Sequence, residues 1–243
     1  MEREKANYVR EWNHFRQCEQ AEIAARCQIW RSLRSGEPIH FEAITAATGL
    51  SVEHIQRLLP HNSTSYSLAD ALTDEWPSYM EIIEGEPIPP VTPPVIHQKI
   101  WGALLRQIDA AHEGEAARYV VRPFEKKGDD PATVSTVLFP DILLVLDERQ
   151  MDEHGYIGAP PLIMEILSPE SKRRDLTIKL EIYQRAGVKE YWTVHPDTAT
   201  VQVYVREENG TFQAHPPYHR NDTVKIGVLE GGSVKLSEVF CGE

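Results

Sequence analysis

Three neighbouring stretches of sequence decide the fold: FPDILLVLDERQ at residues 139–150, GYIGAPPLIMEILSPES at 155–171 and RRDLTIKLEIYQRAGVKEYW at 173–192. The first two contain continuous apolar runs at 142–146 and 162–167, which predict strands buried on both faces. The third predicts a helix over 175–186, followed by a β-rich run at 191–194. Strands alternating with a helix predict a domain with a central sheet.

Two acidic residues belong to these apolar strands. Asp141 stands at the start of the first run, directly after Pro140, and Glu165 lies inside the second run. A carboxylate within a buried strand is costly unless it is paired, hydrogen-bonded or bound to metal. Because carboxylate oxygens are the ligands that Mg²⁺ or Mn²⁺ prefers, we predict that Asp141 and Glu165 form a metal-binding pair. The bound cation would activate water and stabilise charge at a phosphodiester.

The region around this centre mixes strands and helices. Beyond the runs already described, β-rich segments are predicted at 80–83, 119–124, 137–146 and 200–205, and a further helix at 96–111. We therefore predict an α/β (α+β) domain over residues 66–243, in which a mixed central sheet is flanked by helices. A polar, turn-prone segment at 61–67 is the candidate linker that precedes it.

The first sixty residues are predicted to be helical. A helix at 41–48, a turn at Gly49 and a second helix capped by Ser51 resemble the helix-turn-helix of winged DNA-binding and dimerisation domains. The second helix offers Arg57 as its one firm cation, and helices that read DNA usually offer more. Residues 1–62 are thus predicted to form a small helical module, of the winged kind or otherwise, that favours packing or dimerisation over direct DNA recognition.

Charge and composition narrow the function classes. The 243 residues carry 25 basic and 37 acidic side chains, and a net charge of −12 is atypical of a strong non-specific nucleic-acid binder. The basic run Lys172, Arg173 and Arg174 is the candidate phosphate or DNA contact that would offset this charge locally. No apolar run is long enough to span a bilayer, and the charged N-terminus lacks a signal-peptide core, so we expect no membrane contact and a cytoplasmic location.

The order of several short motifs resembles the Uma-two family of restriction-type endonucleases. The resemblance covers residues from about 66 to 205, and its matches are Glu81 to Glu86, His97, Pro140-Asp141, Gly155-Tyr156, Gly158, Pro161, Glu165 to Ser171, Asp175, Lys179, Tyr183 and Ala186 to Trp192. It implies the restriction-endonuclease-like fold and an active centre of the PD-(D/E)xK type. That superfamily places a lysine two residues after the glutamate. This chain lacks a lysine at that position, and it shares this feature with the Uma-two family.

This departure moves attention to other side chains. Leu167 stands where the superfamily lysine would be, and Lys179 in the following helix is the candidate substitute. Lys179 lies off the predicted core-facing stripe of Leu176, Leu180 and Tyr183, and it is placed to pair with Asp175 four residues earlier. The resemblance also implies that Glu81 completes the acidic shell. His97, at the start of a predicted helix, is a candidate general base.

The combined prediction is an Mg²⁺-dependent (or Mn²⁺-dependent) endonuclease that hydrolyses DNA phosphodiester bonds. Asp141 and Glu165 hold the metal, and Lys179, Glu81 and His97 complete the catalytic set. Two alternatives remain open: a non-catalytic DNA- or protein-binding module that keeps the nuclease fold, and a helix-turn-helix regulator. The sequence leaves DNA and RNA undistinguished, and a homodimer is an option because cutting two strands suits two-fold symmetry.

Overall fold

The computed structural model describes residues 2–74, 76–111 and 115–241. The chain forms two compact units, one of Met1–Pro90 with Asp129–Val137 and the other of Val91–Gly128 with Leu138–Glu243. The predicted boundary near residues 62–66 falls within the sequence range of the first unit. A separate domain status for residues 1–62 therefore stays a prediction.

The first unit is mainly helical and contains a β-hairpin. Its helices and strands are α1 (Glu2–Ser35), α2 (Phe41–Thr48), α3 (Val52–Arg57), α4 (Leu68–Ala71), β1 (Glu81–Ile83) and β2 (Glu86–Ile88). Strands β1 and β2 pair antiparallel, with Ile82 opposite Pro87. The predictions of helices in the first sixty residues and of a strand at 80–83 are confirmed.

Helices α2 and α3 have the predicted local geometry. Gly49 ends α2 with a left-handed φ of 76°, a conformation that glycine adopts without a steric penalty. The Ser51 side chain accepts a hydrogen bond from the His54 backbone N–H at 3.1 Å and thereby caps α3. The His54 ring lies 2.8 Å from a carboxylate oxygen of Glu22 on α1, which ties one polar side chain of α3 to a neighbouring helix. DNA recognition by α3 stays a prediction.

The polar segment at 61–67 is exposed over residues 61–64 and buried at Tyr66 and Ser67. Tyr66 is fully buried, and its hydroxyl donates to a backbone carbonyl at 2.9 Å. The buried Asp70 carboxylate accepts from the backbone N–H groups of His61 at 2.9 Å and Ser67 at 2.8 Å. The segment predicted as a linker is therefore an ordered turn held by Asp70, because satisfying a buried carboxylate requires these donors.

The second unit is built on a mixed sheet. Its helices and strands are α5 (Val95–Ala111), β3 (Glu115–Ala117), β4 (Val121–Arg122), β5 (Ile142–Val145), β6 (Met151–Asp152), β7 (Gly155–Ile157), β8 (Leu162–Ile166), α6 (Lys172–Arg174), α7 (Leu180–Ala186), β9 (Glu190–His195), β10 (Thr200–Arg206), β11 (Phe212–Ala214), β12 (Tyr218–His219), β13 (Thr223–Lys225), β14 (Ser233–Lys235) and α8 (Leu236–Val239). A π-helical turn, Asp175–Lys179, joins α6 to α7.

The main sheet has seven strands within the described residues, in the order β11-β10-β9-β8-β5-β3 with β12 paired to β10. The β8–β9 pair is parallel, and the other pairs are antiparallel. Parallel neighbours need a crossover connection, which α6, the π-helical turn and α7 supply. The predicted mixed central sheet with flanking helices is confirmed.

Side-chain alternation along β8 decides which residues meet the core. Leu162, Met164 and Ile166 lie in a buried apolar cluster with Ile100 and Leu104 of α5. Because successive side chains of a strand point to opposite faces, Glu165 lies on the other face of the sheet. The apolar core therefore fixes the strand, and the reverse face of the same strand presents the carboxylate.

Several short strands were not predicted from the sequence, among them β3, β6 and β11 to β14. Most have two or three residues, too few to show a repeating pattern. One turn does have a clear sequence cause: Gly155 has a φ of +117°, and a Cβ there would lie 2.5 Å from the Val120 carbonyl oxygen. Among the described helices, none combines the length and apolar character needed to cross a membrane.

Candidate active site

Asp141 and Glu165 lie opposite each other on two neighbouring strands. Strands β5 and β8 run antiparallel with Ile142 opposite Met164, and the same register continued by one residue sets Asp141 against Glu165. The backbone N–H of Asp141 donates to Glu165 Oε2 at 3.3 Å. The structure thus brings the two predicted acids together through a simple sheet register, at the point where β5 begins.

The Asp141 carboxylate is buried and accepts hydrogen bonds from three separate elements. Oδ2 lies 3.0 Å from His97 Nε2 on α5 and 2.8 Å from the backbone nitrogen of Ile166 on β8. Oδ1 accepts from the guanidinium of Arg118, which follows β3. The Trp101 indole N–H donates to the Asp141 carbonyl at 2.8 Å. These contacts fix both the main chain and the carboxylate of Asp141.

The charge on Asp141 depends on these donors. Burial alone would raise the pKa of the Asp141 carboxyl, but the hydrogen bond and charge of His97, the charge of Arg118 and the Ile166 amide outweigh it. The pKa is therefore lowered, and the carboxylate is ionised at neutral pH. Because an ionised carboxylate only accepts hydrogen bonds, the Nε2 atom of His97 carries the proton.

The Glu165 carboxylate has a different set of donors. Its Oε1 accepts from Lys179 Nζ at 2.9 Å and from the Tyr183 hydroxyl at 3.0 Å, and all three side chains are buried. Hydrogen bonds that involve charged partners are about twice as strong as neutral ones. Glu165 is thus held by a buried ammonium on one side and by the Asp141 main chain on the other.

Lys179 reaches Glu165 from the π-helical turn. The buried face of this helical segment consists of Asp175, Lys179, Ile182 and Tyr183, whereas Leu176 and Leu180 are only half-buried. The predicted core-facing stripe is confirmed for Tyr183 and wrong for Leu176 and Leu180, since two charged residues take the inner positions. They are stabilised there as a pair, with Lys179 Nζ 3.7 Å from Asp175 Oδ1 in the predicted i,i+4 arrangement. π-Helical turns are frequent at functional sites.

The structure explains how Leu167 is accommodated. Leu167 is buried, and its backbone N–H donates to the Val194 carbonyl at 2.9 Å, which extends the β8–β9 pairing. The ammonium beside Glu165 comes instead from Lys179, fourteen residues further along the chain.

The remaining predicted residues are placed as follows. His97 is buried rather than at an exposed helix start, and its contact with Asp141 favours an orienting role over that of a general base. Glu81 is buried at the start of β1 in the first unit, and its catalytic role stays a prediction. The predicted phosphate contacts form α6 after β8, with Lys172 and Arg173 exposed and Arg174 half-buried.

Sequence reasoning gave no site role to three side chains that contact Asp141 or Glu165. Trp101 follows His97 by four residues on α5, and Tyr183 follows Lys179 by four, so helical spacing offered a signal for both. Arg118 had no such signal, because it follows a three-residue strand whose position beside β5 depends on long-range pairing. The Ser168 hydroxyl accepts a hydrogen bond from the Ser171 backbone N–H at 3.1 Å and so stabilises the turn after β8.

The donor set fits a hard divalent cation. Mg²⁺ usually keeps several water ligands and takes one or two carboxylates from the protein. Asp141 and Glu165 offer that pair, opposed in register on adjacent strands. No group of three or more His, Cys, Asp or Glu side chains suited to holding a metal occurs among the described residues, so further ligands would come from water and phosphate.

Comparisons with known proteins identify the family and agree with the fold. Residues 69–236 match a family model described as "Uma2: Putative restriction endonuclease". Among solved structures, the chain resembles a crystal structure titled as a putative nuclease belonging to DUF820 from Anabaena variabilis ATCC 29413. The TM-score is 0.52 at 20% identity, and the match covers 66% of this chain and 89% of that one. A search of curated proteins gave no match. On the match across more than half of its length, this chain belongs to the Uma2 family.

Proposed function

We propose that this protein is a divalent-cation-dependent endonuclease that hydrolyses phosphodiester bonds in DNA. The single observation that carries the proposal is the Asp141–Glu165 carboxylate pair, opposed across β5 and β8 with the Lys179 ammonium 2.9 Å from Glu165. Two carboxylates can hold a divalent cation that activates water, and a lysine beside them can stabilise negative charge on the phosphate. The family description supports the same reaction class.

Each residue of the site has a role that follows from its contacts. His97 and the Ile166 amide orient Asp141 through Oδ2 and keep its carboxylate ionised, so it is ready to bind a cation. Tyr183 orients Glu165 by donating to Oε1. Lys179 supplies a positive charge beside the same oxygen, where it would offset negative charge on a phosphate in the transition state.

Asp141 and Glu165 would hold the cation, whose chemistry when bound is to lower the pKa of a coordinated water and to stabilise the pentavalent phosphate. The carboxyl ends of the parallel strands β8 and β9 lie at this edge of the sheet. In α/β sheets, that end is where substrates usually bind. The exposed Lys172 and Arg173, just beyond β8, are suited to contact the flanking DNA phosphates.

The decisive test is cleavage of supercoiled plasmid in Mg²⁺ by the wild type and by the Asp141→Asn and Glu165→Gln variants. We expect each substitution to lower the rate by about 100-fold or more, because each removes a cation ligand while keeping the side-chain shape. Glu190→Gln is the matched control, since Glu190 is an equally buried glutamate on the neighbouring strand β9. Equal rates in the wild type and both site variants would refute the assignment.

A non-catalytic binding module is the second candidate, and one observation favours it. The oxygens of Asp141 that a cation needs are already engaged by His97 and Arg118. A module that never binds metal would show no rise in melting temperature with millimolar Mg²⁺ or Mn²⁺, whereas native-state binding raises it with concentration. A mobility-shift assay in which the protein retards plasmid DNA without cleaving it would support the binding module.

A further inference from the structure

Arg118 differs from the other side chains that donate hydrogen bonds to the two carboxylates in its access to solvent. The side chains of Lys179 and His97 are 4% and 8% exposed, and that of Arg118 is 30% exposed. It is placed by sheet register: β3 pairs antiparallel with β5, with Ala117 opposite Leu143, so Arg118 lies diagonally across from Asp141. A long side chain anchored at the end of an edge strand can withdraw toward water while the buried contacts stay in place.

The two Asp141 oxygens are unequally held. Oδ2 accepts from two buried donors on different elements, the His97 ring and the Ile166 amide, and moving either would disturb α5 or β8. Oδ1 accepts from Arg118. A cation that approaches the carboxylate pair from solvent would therefore meet Arg118 at Oδ1, and this contact is the one that can open at least cost.

Charge balance makes Arg118 a competitor of the cation. Asp141, Glu165 and Asp175 carry three negative charges, and Arg118 and Lys179 return two positive ones. A counter-charge stabilises a buried carboxylate that stays ionised in the metal-free protein. When a divalent cation binds to the pair, it takes over that function and repels the guanidinium at short range.

We propose that Arg118 is a displaceable latch on Asp141, which rests on the proposed function and extends it to the control of cation and substrate binding. In the metal-free protein, the guanidinium neutralises Oδ1 and keeps the site closed to adventitious cations. Cation binding releases it. The freed guanidinium then binds a phosphate of the nucleic acid, because its planar fork matches two phosphate oxygens.

The first test is Mn²⁺ affinity, measured by isothermal titration calorimetry on the full chain. Arg118→Gln should bind Mn²⁺ about tenfold more tightly than the wild type, because a competing cation is gone. Arg149→Gln is the matched control, since Arg149 is an exposed arginine that pairs with a single nearby carboxylate, Asp147. Unchanged or weaker Mn²⁺ binding in Arg118→Gln overturns the latch, and so does the absence of Mn²⁺ binding in every variant.

The second test concerns the released guanidinium. Affinity for a short DNA duplex is measured by fluorescence anisotropy, with Ca²⁺ and without any divalent cation. Arg118→Gln should weaken binding about tenfold in Ca²⁺ and leave it unchanged without the cation, because Arg118 is then held by Asp141. An equal loss under both conditions would mean that Arg118 contacts DNA permanently, which contradicts a latch.

A third measurement needs no loss of the arginine in the protein under study. The ¹⁵N side-chain signals of arginine are followed in the wild type during Mg²⁺ titration, with Arg118→Lys used only to assign the signal. The Arg118 signal should shift and broaden through faster hydrogen exchange with water as the cation binds. A signal that stays unchanged up to saturation with Mg²⁺ would overturn the proposal. Cleavage with an unchanged Mn²⁺ affinity in Arg118→Gln would sink the latch alone, and tighter Mn²⁺ binding without cleavage would sink the nuclease alone.

Discussion

Two buried glutamates of the same strand pair are treated in opposite ways by their surroundings. Glu165 lies opposite Thr193 toward the carboxyl ends of β8 and β9, and Glu190 lies opposite Leu162 where β9 begins. Both side chains are almost fully buried. Glu165 is bonded to an ammonium and a phenol, and Glu190 is bonded to the Trp192 indole N–H at 2.6 Å and the Val228 amide at 3.3 Å.

The difference in donors separates a candidate reactive carboxylate from a structural one. At Glu190, burial raises the pKa, and the hydrogen bonds from Trp192 and from the Gly227 and Val228 amides only partly oppose it. A carboxyl group in that setting is stabilised when it is protonated. At the other end of the strand pair, the partners of Asp141 hold its pKa below its ordinary value. The cationic side chains of Lys179 and Arg118 therefore lie at the end of the sheet where a carboxylate stays ionised.

The largest expected effect comes from removing the cation at Glu165. Lys179→Met should lower the free energy of unfolding by about 3–5 kcal/mol, because it leaves a buried carboxylate without its charge partner. Urea unfolding followed by circular dichroism measures it. The double variant Lys179→Met with Glu165→Gln should recover part of the loss. If Lys179→Met costs less than about 1 kcal/mol, the buried pair is not an ion pair and the comparison fails.

A smaller effect is expected where the donor is neutral. Trp192→Phe removes the indole N–H from Glu190 and leaves a buried oxygen unsatisfied, which costs about 1–3 kcal/mol. The same urea experiment measures it. The loss should be smaller at pH 4 than at pH 7, because a protonated Glu190 needs fewer donors. A loss that is equal at both pH values would show that lost packing, and not the hydrogen bond, dominates.

The sign of the pH dependence should differ between the two ends of the strand pair. Glu190 has a folded pKa above its ordinary 4.5, so its stabilising contribution is complete below pH 4.5 and is lost as pH rises through the folded pKa. Asp141 has a folded pKa below its ordinary 3.8, so its contribution is present above pH 3.8 and is lost as pH falls through the folded pKa.

Comparing each variant with the wild type at the same pH isolates these contributions. Glu190→Gln should gain stability relative to the wild type as pH rises from 4 toward neutrality, whereas Asp141→Asn should fall further behind the wild type as pH rises toward 3.8 and level off above that value. Urea unfolding at a series of pH values measures both. Parallel curves for the two variants would remove the distinction between a charged and a neutral end.

The smallest expected effect comes from an exposed ion pair. Glu181 on α7 pairs with Arg185 at 4.0 Å, and both side chains are more than half exposed. Glu181→Gln should change the free energy of unfolding by about 0.3–0.5 kcal/mol, as exposed i,i+4 pairs do. The same experiment in 1 M NaCl should abolish the change, since salt screens exposed charges. A loss of stability comparable to that of Lys179→Met would show that burial does not make the Lys179–Glu165 pair stronger than the exposed Arg185–Glu181 pair.

Much of the fold and part of the site were predictable from local sequence. The runs at 142–146 and 162–167 became β5 and β8, and the helix at 96–111 became α5. Asp141 and Glu165 stood out because each is an acid beside or inside an apolar run. Lys179 was placed correctly beside Asp175, but its burial and its contact with Glu165 could not be decided from one helix alone.

Arg118 and the order of the strands lay beyond the reach of local pattern. Strand β3 has three residues, and only its pairing with β5 brings Arg118 to Asp141. The wrong placement of Leu176 and Leu180 on the inner face of the 175–186 helix has the same origin. Asp175 and Lys179 take the buried positions because Lys179 pairs with Glu165 on β8. Hydrophobic periodicity predicts burial of leucine before lysine, because it does not include the contact with Glu165.

The sequence by itself determined that this chain has buried strands carrying two acids, with helices between them. That information is local, because the strand period and the cost of burying charge are properties of short segments. Only the tertiary structure decided that Asp141 opposes Glu165, that Lys179 neutralises one and Arg118 the other. Those pairings join residues up to 24 positions apart, as Asp141 and Glu165 are, and only the folded sheet brings such distant groups within hydrogen-bond reach.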